Sequence, residues 1–239
     1  MLVIQPDPLT VLDRFGEWLA DDQVLTEVVR PFAGDVVPEY LDADGLLVMG
    51  GRMSVWHDGD HPWLADVRRL FRHAVRAARP TLGICLGGQL LAQAFGGEVA
   101  TGDRGVEAGV IRVEWRPEAR DDALFAGLPE SFPVGSLHGD AVTRLPDGAV
   151  WLGRSAMYRY QAFRLGPSAW GVQFHPELSA GTYRGWVSGL AATNDAATQE
   201  RLVGAVADFE QLDEHVRVAN RIVAGRFANL LHARAGAVL

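Results

Sequence analysis

Thr81-Leu82-Gly83-Ile84-Cys85-Leu86-Gly87-Gly88-Gln89-Leu90 is the stretch on which the reading of this chain turns. Thr81 to Cys85 is a short apolar run of the kind that forms a buried strand, and Leu86 to Phe95 carries a helical pattern. The chain's one cysteine stands where the strand turns into the helix. Glycines two residues to either side remove side chains that would clash in so sharp a turn. The helix beginning after Cys85 aims free N–H groups and a partial positive charge at the sulfur, which favours the nucleophilic thiolate.

Working outward, short apolar runs alternate with helical patterns through the first hundred residues. Leu2 to Gln5 reads as a strand and about 9–20 as an amphipathic helix on Leu9, Leu12, Phe15 and Leu19. Gln23 to Val29 and Gly45 to Met49 read as further strands, and about 63–78 as a helix. Strands spaced by helices imply a mostly parallel sheet covered on both faces. From about 97 to 175 the signal changes to strands separated by Gly, Pro and Asp turns. Val110 to Trp115 and Ala149 to Gly153 there suggest antiparallel strands at the sheet's edge. The last sixty residues read as helical, with Leu202, Val206, Phe209, Leu212, Val216 and Ile222 at helical spacing. The expectation is a single α/β domain over 1–239, with a core of about 1–180 and a helical C-terminal extension of about 181–239.

Composition narrows the function. The 239 residues carry 22 basic and 30 acidic side chains, a formal charge of −8, which disfavours nucleic acid and anionic membranes as partners. All 22 basic residues are arginine. Without lysine there is no P-loop, no pyridoxal Schiff base and no kinase-type ATP lysine. One cysteine allows neither an internal disulfide nor a multi-cysteine metal site. The N-terminal residues lack a basic, apolar leader pattern, and no run of eighteen apolar residues occurs, so a cytoplasmic protein is expected.

A thiol nucleophile needs a base and a group to orient that base. Gly171-Val172-Gln173-Phe174-His175-Pro176-Glu177 offers both: a short strand delivers His175, Pro176 stops the strand, and Glu177 can face the imidazole. By itself this segment is equally well a structural histidine; beside the elbow it completes a Cys85–His175–Glu177 triad. Gly45-Leu46-Leu47-Val48-Met49-Gly50-Gly51-Arg52 is a buried strand ending in two glycines. Acyl transfer needs N–H donors at the developing oxyanion, and the backbone N–H groups of Gly51 and Leu86 are placed to form that oxyanion hole.

Together these three segments, over about residues 40–180, resemble class I (triad-type) glutamine amidotransferases, and within them the stand-alone, GMP-synthase-like group. The resemblance implies a flavodoxin-like α/β fold and Cys85 as nucleophile, attacking the γ-carboxamide of glutamine to give a γ-glutamyl thioester and release ammonia. It implies His175 as general base and acid, held by Glu177. It further implies that Gln89 and the backbone around Val134, Gly135 and Ser136 grip the substrate's α-amino and α-carboxylate groups. His138-Gly139-Asp140 matches a stretch common in the GMP-synthase type, where loop structure is its expected role. Arg52 departs from the proline that many relatives carry, which bears on the pocket rim.

Other features carry less. Trp56-His57-Asp58-Gly59-Asp60-His61 has metal-like residue types but lies in a turn-rich loop, and no metal site and no cofactor is expected. Arg68, Arg72, Arg76 and Arg79 form a stripe on one helix, read as a solvated face. The C-terminal apolar positions either pack on the sheet domain or make a homodimer interface. Glutamine or a γ-glutamyl compound is the expected ligand. A separate ammonia-accepting synthase subunit takes the ammonia, or the enzyme acts alone as a γ-glutamyl amide or peptide hydrolase; a catalytically silent binding or regulatory subunit is the alternative of another class.

Overall fold

A computed structural model describes residues 1–190 and 196–236. In chain order the elements are β1 (Leu2–Ile4), α1 (Asp13–Asp21), β2 (Glu27–Val29), β3 (Leu46–Val48), α2 (Trp63–Arg76), β4 (Thr81–Ile84), α3 (Leu86–Ala94), β5 (Glu98–Thr101), β6 (Glu107–Trp115), β7 (Ser131–His138), β8 (Asp140–Arg144), β9 (Val150–Arg154), β10 (Ala162–Leu165), β11 (Ala169–Val172), α4 (Ala180–Leu190) and α5 (Ala196–Gly236). The positions 191–195 and 237–239 of the expected helical extension lie outside the described residues.

Nine strands form one sheet in the order β2-β1-β3-β4-β11-β10-β9-β6-β7. The neighbours from β2 to β11 pair in parallel, and those from β11 to β7 antiparallel. The fold is thus a single α/β domain with a parallel core, flanking helices and a C-terminal helix. Alternation along the strands divides the apolar side chains between two faces. Val3 and Leu47 pack with Phe15 and Leu19 of α1 and Val223 and Phe227 of α5. Leu2, Ile4, Leu46 and Val48 pack with Leu64, Val67 and Phe71 of α2 and with Leu90 of α3.

Two boundaries and one helix face differ from the sequence expectation, each for a local reason. Helix α1 starts at Asp13, not near 9, because the Asp7 carboxylate accepts the Leu9 N–H and the Asp7 carbonyl accepts the Thr10 N–H, closing a turn. Leu9 is left exposed. Strand β2 begins at Glu27 because Gln23, at φ 60°, and Val24 still donate to the last turn of α1. On α5 the buried seam runs Leu202, Phe209, Val216, Val223, a seven-residue repeat, so Ile222 faces outward at 42% exposure.

Helix α3 lies close across the sheet because its first turn has no side chains on that side. A Cβ at Gly87 would stand 2.2 Å from the Val48 carbonyl, and one at Gly83 2.5 Å from the Gly87 backbone. The elbow therefore sits pressed between the ends of β3 and β11, which carry the other two segments singled out from sequence.

Candidate active site

Cys85 occupies the turn between β4 and α3 with φ 50° and ψ −108°, a conformation rarely open to a residue with a side chain. Two hydrogen bonds hold it there: its N–H donates to the Val172 carbonyl (2.8 Å) and its carbonyl accepts from the Gln89 N–H (2.9 Å). The strain is thus imposed by β11 on one side and α3 on the other, and it points the sulfur into a cleft of about 410 Å³ at the carboxyl ends of the parallel strands.

His175 enters this cleft just past β11. Its backbone N–H donates to the Gly135 carbonyl of β7 (2.8 Å), and its ring Nδ1 lies 2.7 Å from Glu177 Oε1. The ring is packed edge-on by Trp186 of α4, centroids 4.8 Å apart, and Trp186 is fixed by donating to the Leu9 carbonyl. Its other side meets Gly50, where a Cβ would stand 2.9 Å from His175 Cε1. Burial opposes charging the ring. The charges of Glu177 and Cys85, with hydrogen bonds to both, outweigh burial and raise the His175 pKa to about 10. Glu177 is fully buried, and its Oε2 has no hydrogen-bond partner among the described residues.

Gly51 stands beside Leu86: a Cβ on Gly51 would lie 2.8 Å from Leu86 Cδ2. Neither backbone N–H donates to another group among the described residues. Thr10 Oγ1 donates to the Gly50 carbonyl (2.7 Å), and Arg52 donates to the buried Asp7 (2.8 Å). The arginine that replaces proline at the rim thereby ties the glycine turn to the loop before α1.

Gln89 lines the cleft, its Nε2 donating to the Asp140 carbonyl (2.9 Å) and to Gln173 Oε1 (3.1 Å). Val134, Gly135 and Ser136 do not line it. Their backbone is committed to the β6 pairing and, at Gly135, to His175; this strand's contribution to the cleft shifts along to Leu137, His138, Gly139 and Asp140. His138 is buried, with Nδ1 3.0 Å from the Asp140 carbonyl and Nε2 3.0 Å from Glu107 Oε2.

Sequence reasoning passes over Gln173, Glu107 and Trp186. Gln173 has a signal, since alternation along an extended segment puts it on the same side as His175. Glu107 has only the weak one of an acid opening a strand that also carries Arg112 and Glu114. The arginine stripe is corrected at Arg68, which is 15% exposed: it bonds the Val55 carbonyl and Gln93 and pairs with Asp58, pinning the 55–60 loop to α2 and α3. His57 accepts the Ser54 N–H within the same loop.

The sequence profile of the family "Glutamine amidotransferase class-I" matches residues 19–187 of this chain. The chain belongs to the class I glutamine amidotransferase family. It is 38% identical over 181 residues to the GMP synthase [glutamine-hydrolyzing] of Thermomicrobium roseum, covering 72% of this chain and 32% of that one. The chain therefore spans about a third of that relative's length. To a GMP synthase [glutamine-hydrolyzing] subunit of Natronomonas pharaonis it is 32% identical over 179 residues, covering 72% of this chain and 88% of that one. Among solved structures, a glutamine amido transferase from Methylobacillus flagellatus superposes with a TM-score of 0.84 at 31% identity, covering 97% of this chain and 94% of that one. The amidotransferase is accordingly an enzyme of the cysteine-nucleophile class. Among the described residues no helix is long and apolar enough to cross a membrane.

Proposed function

We propose that this amidotransferase hydrolyses the γ-carboxamide of glutamine at Cys85. The observation that carries the reading is the placement of His175, held by Glu177 through one ring nitrogen and sharing one cleft with Cys85. With its pKa raised to about 10, His175 is an imidazolium at neutral pH, and Cys85 attacks as its thiolate. The sulfur attacks the substrate's Cδ, and the oxyanion takes the N–H groups of Gly51 and Leu86. As the C–N bond breaks, the His175 proton passes to the departing nitrogen, leaving a γ-glutamyl thioester and ammonia. His175, now neutral, takes a proton from water as it attacks the thioester; glutamate leaves and the ion pair is restored. Gln89 and the backbone at 137–140 receive the amino-acid end of the substrate. A core of about 1–180 carries Cys85, His175 and Glu177 in this reading, and the C-terminal extension adds Trp186, Leu190 and Leu202 to the cleft.

A second reading is a stand-alone γ-glutamyl amide or peptide hydrolase. It is favoured by the cleft's apolar wall, where Leu190 and Leu202 lie beyond the segment matched by the family profile. In the first reading a separate synthase polypeptide receives the ammonia, a division of labour suggested by the Natronomonas relative, which is one subunit of a GMP synthase. Ammonia and amine release from glutamine and from a panel of γ-glutamyl dipeptides separates the two. Turnover of glutamine at least as fast as of the dipeptides supports the first; dipeptide turnover with negligible glutaminase supports the second.

A further inference from the structure

A chain of hydrogen bonds reaches Cys85 from a side that the triad does not use, and its polarity is set by groups that can only accept. It begins at Glu107, a carboxylate only 2% exposed, which accepts from Ser155 Oγ (2.6 Å) and Gln161 Nε2 (2.6 Å) and lies 3.0 Å from His138 Nε2. His138 Nδ1 faces the Asp140 carbonyl, which can only accept, so this nitrogen carries a hydrogen. The same carbonyl faces the Gln89 amide and fixes Nε2 as the atom turned toward it. The second Nε2 hydrogen of Gln89 then meets Gln173 Oε1, and Gln173 must turn its own Nε2 to the sulfur of Cys85, 3.5 Å away.

Resting on the proposed attack by Cys85, we infer that Gln173 is a further catalytic residue: its Nε2–H donates to the Cys85 sulfur and holds the thiolate, with Glu107 as a positioning residue that holds His138 and, through it, the Asp140 carbonyl on which the Gln89 amide turns. The arrangement has two consequences for the substrate end. Both Nε2 hydrogens of Gln89 are engaged, so the atom it has left to offer the cleft is Oε1, an acceptor suited to the substrate's α-ammonium group. The amide that receives the substrate and the amide that holds the nucleophile are also one coupled unit, so disturbing Glu107 reaches both.

The test is the rate of Cys85 carboxymethylation by iodoacetate at pH 7, measured beside glutamine kinetics and thermal unfolding. Iodoacetate reports the thiolate whatever the natural substrate is. If the wild type alkylates at Cys85 but turns over neither glutamine nor any γ-glutamyl compound, the functional reading has failed and the inference falls with it. If the wild type is active, Gln173→Leu is expected to alkylate about fivefold more slowly, the size of one lost hydrogen bond, with kcat falling in step and KM little changed. Gln173→Glu keeps the shape but presents an acceptor, and is expected to slow alkylation further; it serves equally if the leucine variant does not fold. Glu107→Gln is expected to slow alkylation and to raise KM together. Folded Gln173 variants that alkylate at the wild-type rate, or a Glu107→Gln variant altered in melting temperature alone, overturn the inference.

Discussion

Two buried glutamate–histidine pairs flank the same cleft. Glu177–His175 and Glu107–His138 have nearly the same contact distance, 2.7 and 3.0 Å, and nearly the same burial. They differ in what the remaining atoms meet. His138 has its second nitrogen on the Asp140 carbonyl, and Glu107 takes donors on both oxygens, including Ser155 and Gln161. That pair is closed. His175 shares the cleft with Cys85, while Glu177 keeps an oxygen with no partner among the described residues. A buried carboxylate with so few donors is stabilised chiefly by the positive charge beside it. What distinguishes the histidine proposed for chemistry from the one that holds a loop is that the latter has both ring nitrogens taken by a carboxylate and a carbonyl, which no motif records.

Removing the nucleophile gives the largest effect: Cys85→Ser is expected to lower kcat/KM for glutamine by roughly 10⁴-fold or more with the fold retained, read by ammonia release and circular dichroism. Substituting the two acids then sharpens the comparison. Glu177→Gln is expected to cost roughly 10³-fold in kcat, because the imidazolium loses the charge that orients and supports it. Glu107→Gln is expected to cost about fivefold, the scale of one hydrogen bond lost through the chain that reaches Gln173. Equal losses from the two would erase the distinction between the open pair and the closed one.

Much of this contrast is invisible in the chain itself. The parallel half of the sheet is legible because buried strands and amphipathic helices alternate at short range, and the elbow is legible because Gly83 and Gly87 flank the lone cysteine in a turn. Glu107 meets His138 across 31 residues through the β6–β7 register, and Gln161 and Ser155, which lie just outside β10 and β9, across 54 and 48. The same register moves the cleft-lining part of β7 from 134–136 to 137 onward, an offset that spacing alone does not reveal. The start of α1 depends on how Asp7 caps a turn, which propensity over Leu9 and Leu12 does not carry.

Further substitutions test the packing around His175. Gly50→Ala would press a methyl group to 2.9 Å from its ring and is expected to lower kcat on the order of 10²-fold. Gly139→Ala, whose Cβ meets only Val106 Cγ2 at 3.9 Å, is expected to lie within about 0.5 kcal/mol of wild-type stability. The smallest signal is in stability against pH. His175 has a folded pKa raised to about 10 against an unfolded 6.5, so its contribution is fully present below about pH 6.5 and is lost as pH rises through about 10. The melting temperature is expected to decline over that interval more steeply in the wild type than in His175→Gln.

The most direct measurement is intact-mass and peptide analysis of the enzyme quenched in acid during glutamine turnover. A γ-glutamyl adduct on Cys85 that accumulates in Glu177→Gln and is absent from Cys85→Ala is the predicted result. Sustained ammonia release by Cys85→Ala, or an adduct carried by any other residue, would contradict the account.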